Sequence, residues 1–481
     1  MSINNRRSFL KRATAGTGGL LLGNMFGYAS AGALNESVQQ SLSQSKKHKQ
    51  LFNMTGYAAP KIPTVRIGYV GIGNRGGWAV HRMTNIRNVE IKALCDIREV
   101  AVKKSQQVLK EKGFAAAAEY FGDVNAYKKM CERDDIDLIY IATPWEWHAP
   151  IAIYAMEHGK HVAVEVPGAV TLEECWQMVE TSERTRKHCM QLENCCYDFF
   201  ETLTINMAQK GLLGELVHGE GAYIHTLLDG FFHKPGSPDE APGWRWKENL
   251  KNGNLYPTHG LGPVAQAMNI NRGDKMEYLT SMSSNDFMME ALANKLAAGG
   301  DPYYQQFAGK HYRGNMNTSV VKTNKGKTIM IQHDVSTPRP YSRIHALSGT
   351  KGFVQKYPEP GKIAFGHEGF LSEAKVKELE TLYTPEVVTH VAEVAKAVGG
   401  HGGMDFIMDW RMIDCLRNGL PLDIDVYDLA TWSAITPLST WSVNHRSNSV
   451  DMPDFTGGSW KNNKPVNLSL RGGGNTGAVK L

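Results

Sequence analysis

Gly71, Gly73 and Gly76 form a Gly-x-Gly-x-x-Gly turn between the apolar run VRIGYV and the segment WAVHRMTNI. Asp96 ends the next apolar run, VEIKALCD, 20 residues after Gly76. Glycines at this spacing let the chain turn tightly and let main chain approach a phosphate closely, with a helix N-terminus facing the pyrophosphate. A carboxylate at the end of the second strand accepts from the adenosine ribose hydroxyls and repels a 2′-phosphate, which favours NAD over NADP. Metal chemistry has no comparable signature. The seven cysteines include no Cys-x-x-Cys pair, the adjacent Cys195 and Cys196 are poorly placed to chelate one ion, and no His-Glu-x-x-His occurs.

The elements that must position these residues follow from periodicity. From Val65 onward, apolar strands (VRIGYVGIG, VEIKALCD, DLIYIATP, HVAVEV) alternate with helical segments, one of them over about 98–112. That alternation predicts a doubly wound parallel sheet, an N-terminal Rossmann dinucleotide-binding domain over 62–195. Beyond it, strand candidates at 217–226, 317–323, 328–334 and 343–348 and a helix at 404–417, stopped by Asn-Gly-Leu-Pro, predict an α+β domain over 196–455 with a largely antiparallel sheet. The fold class is therefore α/β followed by α+β. Residues 34–61, rich in Gln, Ser and Lys, read as a linker or N-terminal arm, and 456–481, rich in Gly and Asn, as an irregular tail.

The extreme N-terminus differs from the rest. Asn5-Arg6-Arg7-Ser8-Phe9-Leu10-Lys11, a Gly-rich apolar stretch and small residues near Ala31 and Ala33 resemble a twin-arginine signal peptide over 1–33. It predicts export by the twin-arginine machinery, already folded, to the periplasm, so the cysteines are expected to be buried thiols rather than disulfides. Four basic residues of the formal charge of +5 lie in this segment, and the remainder is near neutral, which argues against a nucleic-acid partner. No run of 18 apolar residues is present.

Longer motifs narrow the function. The glycine turn, IATP at a later strand end and Glu165-Val166-Pro167 resemble the oxidoreductase family of glucose–fructose oxidoreductase and inositol dehydrogenase. Within that family, GNRG (73–76), ATPWEWH (142–148), VEVPGAVTLEECW (164–176), NLYPTHGLGP (254–263), GGHGGMDF (399–406) and GLPLDIDVYD (419–428) resemble glycoside hydrolase family 109, whose members are NAD-dependent α-N-acetylgalactosaminidases. The resemblance implies that Asn74, Arg75, Asp96, Trp145, Glu146, Trp147, His148, Glu165, Val166 and Asn194 contact NAD. It also implies that Tyr223, Arg245, Tyr256, His259 and Tyr341 line the sugar pocket.

One departure carries the argument. The parent dehydrogenases use the lysine of Glu-Lys-Pro and a later Asp-x-x-x-His pair to move a hydroxyl proton. Here those positions fall on Val166, Pro257 and Leu261, while Tyr256 and His259 stand nearby. The resemblance implies an oxidation–elimination–addition–reduction route on tightly bound NAD with no net redox change, the recognised exception to two-carboxylate glycosidases. His259, Tyr256 and Tyr341 are the expected catalytic groups. The expected substrate is a glycan ending in α-N-acetylgalactosamine, and a homo-oligomer is compatible with the sequence. A periplasmic NAD(P)-dependent sugar oxidoreductase and a non-catalytic NAD- or sugar-binding protein are the competing readings.

Overall fold

The computed structural model describes residues 31–236 and 240–479, so the segment 1–33, expected to be a twin-arginine signal peptide, lies almost wholly outside the described residues. The first sheet has six parallel strands: β1 (Val65–Val70), β2 (Val89–Cys95), β3 (Ala118–Tyr120), β4 (Leu138–Ile141), β5 (His161–Val164) and β6 (Cys189–Gln191), in the order β3-β2-β1-β4-β5-β6. Its central strands are apolar at nearly every position and buried along their length, because helices cover both faces. The helix Leu172–Thr185 on one face starts in a capping box. The Glu174 amide donates to the Thr171 hydroxyl at 3.1 Å, and the Thr171 amide donates back to the Glu174 carboxylate at 3.0 Å.

The second sheet has eight strands: β7 (Leu216–Ile224), β8 (Met276–Ser283), β9 (Asn317–Thr323), β10 (Thr328–Asp334), β11 (Ala346–Gly349), β12 (Phe353–Gln355), β13 (Lys362–Ala364) and β14 (Val450–Asp451). Their order is β13-β12-β11-β7-β10-β9-β8-β14, antiparallel throughout except for the parallel pair β7–β10. The fold is thus the Rossmann sheet and the mixed, mostly antiparallel sheet that the alternation of elements predicts. Sequence periodicity finds β7, β9, β10 and β11 but not β3, β6, β12, β13 or β14. Those strands have two or three residues each, too few to show a period. It also misses the longer β8, whose sequence MEYLTSMS breaks strict alternation.

Two other segments are more ordered than their composition suggests. Residues 34–61 form a docked arm. Its helix, Ala31–Lys47, buries Val38 and Ser41 against the Leu172–Thr185 helix, where the Trp176 indole donates to the Ser41 hydroxyl at 2.9 Å. Further on, His48 lies 3.2 Å from the Glu183 carboxylate, which also accepts from the Leu51 amide at 2.9 Å. The tail from 456 lacks regular structure apart from one turn at Ser459–Lys461, yet it is anchored. The Trp410 indole donates to the Thr476 carbonyl at 2.9 Å, and the Thr476 hydroxyl donates to Asp414 at 2.7 Å.

The helices Met404–Asn418 and Val426–Ser433 lie in sequence between β13 and β14 of the second sheet but pack on the first layer. The former lies against β1 and the helix Asn74–Met83, the latter against β6 and the Leu172–Thr185 helix. Arg272, in the turn leading to β8, ties this layer back. Its buried guanidinium spans both oxygens of Asp428 at 2.7 and 2.6 Å and reaches Asp425, the N-cap of the Val426–Ser433 helix, at 3.0 Å. Removing the cation strands two buried carboxylates, so Arg272→Met should cost about 3–5 kcal/mol in urea unfolding near neutral pH. The deficit should shrink on acidification, because Asp425, pushed up to about 6 by burial and then by the Asp428 charge, takes a proton and no longer needs the cation.

Candidate active site

The glycine turn is built to hold something against main chain. Gly71 has φ +79°, and a Cβ there would stand 2.7 Å from the Ala142 and Thr143 backbone. A Cβ on Gly76 would stand 2.0 Å from the Gly71 carbonyl oxygen, so side chains at either position would destroy the cradle at the N-terminus of the helix Asn74–Met83. Asp96 is buried at the mouth of the turn. One of its oxygens accepts from the Ile72 amide and the other from the Arg98 amide, each at 2.9 Å, which fixes the carboxylate while leaving lone pairs for ribose hydroxyls. Asn74 opens the helix and is exposed beside the cradle. These residues fit a dinucleotide.

Arg75 does not point freely into that space. Its guanidinium donates to Glu165 at 2.6 Å and to Asp405 at 2.7 Å, bridging the end of β5 and the start of the Met404–Asn418 helix. Asp405 is buried and also accepts from Asn194 at 2.5 Å, while His401 stands 3.0 Å and Arg82 3.5 Å away. Burial alone would raise its carboxyl. The His401 hydrogen bond and the charges of Arg75 and Arg82 overcome that and hold it well below the usual carboxylate range. Three residues expected around NAD, Arg75, Glu165 and Asn194, are therefore locked into one frame by an aspartate that sequence reasoning quotes within GGHGGMDF without singling it out.

His148 links two loops of the cofactor side. It is buried, with Nδ1 2.7 Å from the Pro167 carbonyl and Nε2 2.9 Å from the Thr143 carbonyl. Both ring nitrogens are spent on main chain, so the side chain joins the two loops after β4 and β5 rather than offering a hydrogen bond to a cofactor. Glu146 and Trp147 are half-buried in the single turn that precedes it. Trp145 is buried and faces the sugar side, stacked on Tyr256 at 5.4 Å and 22°.

The residues expected to line the sugar pocket converge from three elements. Gly221 on β7 and Gly260 on the helix Thr258–Ala267 let strand and helix meet at main-chain contact. A Cβ at Gly221 would lie 2.3 Å from the Gly260 carbonyl oxygen. That approach sets the His259 ring 5.3 Å from Tyr223 and 4.8 Å from Tyr256. Tyr341 reaches the cluster beside the end of β7, its ring 6.4 Å from Tyr223 and its hydroxyl accepting from Arg343 at 3.1 Å. The Arg245 guanidinium lies 5.3 Å from the Trp244 ring and 5.6 Å from the Trp145 ring. One cavity is lined by Trp145, Tyr223, Arg245 and Tyr256 together with Phe231 and His333, two residues the sequence reading does not name.

Protonation states separate the groups. Burial pushes the Tyr223 hydroxyl up to about 12 and the Tyr256 and Tyr341 hydroxyls higher still, Arg245 and Arg343 respectively opposing the shift only in part. All three are hydrogen-bond donors near neutral pH. Two imidazoles stand among them: His225, whose Nδ1 is 3.0 Å from the Tyr223 hydroxyl, and His259. The Nδ1 of His259 lies 2.7 Å from Glu193, a fully buried carboxylate on the turn after β6 that the sequence reading passes over. The seven cysteines are free and buried. Among the described residues, the one His/Cys/acid group close enough to share an ion is Glu193, Cys195 and His259. Its Glu193–His259 contact is already closed as a hydrogen bond.

Comparison with known proteins covers both halves. Residues 65–192 match the oxidoreductase family with an NAD-binding Rossmann fold, and residues 197–462 match the glycosyl hydrolase 109 C-terminal domain. An alpha-N-acetylgalactosaminidase of Bacteroides fragilis is 49% identical over 417 residues, covering 85% of this chain and 96% of that protein. One of Shewanella oneidensis is 44% identical over 473 residues, covering 96% and 98%. Among solved structures, levoglucosan dehydrogenase in complex with NADH and L-sorbose superposes with a TM-score of 0.59 at 17% identity, over 82% of this chain and all (100%) of that one.

Val166, at the position of the dehydrogenase lysine, is 3% exposed and packs with Trp145, Leu255 and Tyr256. Val166→Lys would bury an ammonium in this cluster with no partner. The variant should unfold at a lower temperature, retain less NAD and cleave glycosides more slowly, without gaining net oxidation of a free sugar. Thermal unfolding, bound-nucleotide mass spectrometry and a sugar-dependent absorbance assay read these outcomes.

Proposed function

The chain belongs to glycosyl hydrolase family 109, and from that premise we propose that it releases terminal α-N-acetylgalactosamine from glycans by an oxidation–elimination–addition–reduction cycle with no net redox change. It is a glycoside hydrolase with an NAD-binding Rossmann domain. The observation that carries the reading is the pairing of an intact dinucleotide cradle with an apolar residue, Val166, where a dehydrogenase keeps its lysine, with Tyr256 packed on Val166, His259 beside Tyr256 and Tyr341 beside Tyr223.

Gly71, Gly73 and Gly76 would admit the pyrophosphate of NAD, Asp96 the adenosine ribose, and Glu165, held by Arg75, the nicotinamide ribose. Bound NAD supplies reversible oxidation at sugar C3, which acidifies the neighbouring C2–H and allows the C1 substituent to leave. The side chains handle protons. His259 is the base for C2, because the tyrosines around it stay protonated. Tyr256 donates a hydrogen bond to the C3 oxygen and supports the negative charge that develops when C2 loses its proton. Tyr341, 40% exposed at the opening, protonates the leaving oxygen, with Arg343 fixing its hydroxyl. Arg245, braced on Trp145 and Trp244, and Tyr223 orient the ring. Export is part of the proposal: the Arg6-Arg7 segment would carry an enzyme folded around its cofactor, which needs no reoxidation outside the cytoplasm.

The purified protein, with nothing added, should therefore contain NAD and hydrolyse a chromogenic α-N-acetylgalactosaminide. His259→Ala should lower kcat by at least roughly 10²-fold while leaving the NAD content unchanged. Near-native turnover in that variant would remove His259 from the mechanism. A free sugar reducing NAD stoichiometrically, without glycoside cleavage, would favour an oxidoreductase instead.

A further inference from the structure

The buried turn after β6 holds a charge that the proposed chemistry leaves unused. Glu193 is fully buried, one of its oxygens 2.7 Å from His259 Nδ1 and accepting from the Cys195 amide at 3.1 Å. A carboxylate in such a place is costly unless a cation or a strong donor faces it. We propose that Glu193 is the positioning residue of the proton transfer, fixing His259 with its proton on Nδ1 and the lone pair of Nε2 directed at the sugar.

The geometry supports this from both sides. An ionised carboxylate offers only acceptor sites, so the 2.7 Å contact requires the imidazole to donate from Nδ1, and Nε2 is then the acceptor. The carboxylate is tied down independently of the histidine. The Cys195 amide holds it, and the Cβ position of Gly262, one turn beyond His259, lies only 2.9 Å from the Glu193 Cγ. Burial alone would push the Glu193 carboxyl up. The facing His259 ring with its hydrogen bond and the Cys195 amide instead hold it below its usual value, so it stays ionised. The other titratable groups around the ring are Tyr223 from β7, His225 just beyond its end, Tyr256 from its own segment and Cys195 from the Glu193 turn. Burial keeps the tyrosines and the thiol protonated and lowers His225, so the facing negative charge is Glu193.

In the step itself, the C2–H bond breaks and its proton forms a new N–H bond at Nε2. The electron pair moves into the C2–C3 bond and onto the C3 oxygen, and His259 becomes an imidazolium. Glu193 then faces a full positive charge across a contact already made, so no group has to reorganise when the charge appears. The same hydrogen bond keeps the ring aimed while the proton is returned to the sugar.

The inference rests on His259 being the base, and two measurements separate its failure from failure of that reading. In Glu193→Gln, an isosteric change, kcat should fall by roughly 10²–10⁴-fold. The acidic limb of the kcat/KM–pH profile should move to lower pH by about one unit or more, since the imidazolium loses its charged partner. NAD content and thermal midpoint should stay near wild type. If His259→Ala is inactive but Glu193→Gln keeps the wild-type rate and pH profile, the positioning role is wrong and the base stands. A slow variant with an unshifted profile and reduced NAD would make Glu193 merely structural. Independently of any folding defect, ¹⁵N NMR of histidine-labelled wild type, with the resonance assigned by its loss in His259→Ala, should show the Nδ1–H tautomer. A proton resting on Nε2 would overturn the proposal.

Discussion

A buried aspartate organises this molecule. Asp405 has 1% of its side chain exposed, and a lone carboxylate there would protonate or unfold its surroundings. It remains ionised because cations and donors reach it from other parts of the chain: Arg75 and Arg82 from the helix after the glycine turn, Asn194 from the turn after β6, and His401 from the loop before its own helix. Satisfying that one charge brings the Met404–Asn418 helix onto the dinucleotide layer and locks Arg75 against Glu165. It also sets the β6 turn whose neighbouring residue, Glu193, holds His259. The cofactor cradle and the sugar side are thus registered through a shared electrostatic frame rather than through apolar packing alone.

The likeness to solved sugar dehydrogenases lies in the fold. The difference lies in where protons can go. A lysine beside the cofactor serves net oxidation by taking the hydroxyl proton. Here the corresponding Val166 is packed among Trp145, Leu255 and Tyr256, and the His259 imidazole stands beside Tyr256 on a helix brought close by Gly221 and Gly260. On the proposed mechanism this moves the base from an alcohol oxygen to the adjacent carbon, which turns a redox enzyme into one that breaks a glycosidic bond and leaves its cofactor unchanged.

Much of this was legible in the sequence, for physical reasons that differ by element. The cradle was readable because Gly71, Gly76 and Asp96 meet local demands, a tight turn and a strand-end carboxylate, that act over about 20 residues. The long strands and helices showed their periods, whereas β3 and β12 to β14 are too short to have one. The arm at 34–61 looked solvated because its buried residues, among them Val38, Ser41, Met54 and Ala59, are scattered among polar ones. The two main-chain partners of His148 lie in separate loops and cannot be inferred from neighbours in sequence. Asp405 and Glu193 were missed for a related reason. Their meaning comes from Arg75 and His259, 330 and 66 residues away.

The central claim is that cleavage passes through loss of the proton on sugar C2. It is tested most directly with an α-N-acetylgalactosaminide carrying deuterium at C2, hydrolysed in ordinary water by the protein with only its own bound NAD. The account predicts that the released sugar has exchanged its label for solvent hydrogen and that turnover slows with the deuterated substrate wherever C2–H cleavage limits the rate. Product that retains its deuterium in full, released at the same rate as from the unlabelled substrate, would contradict it.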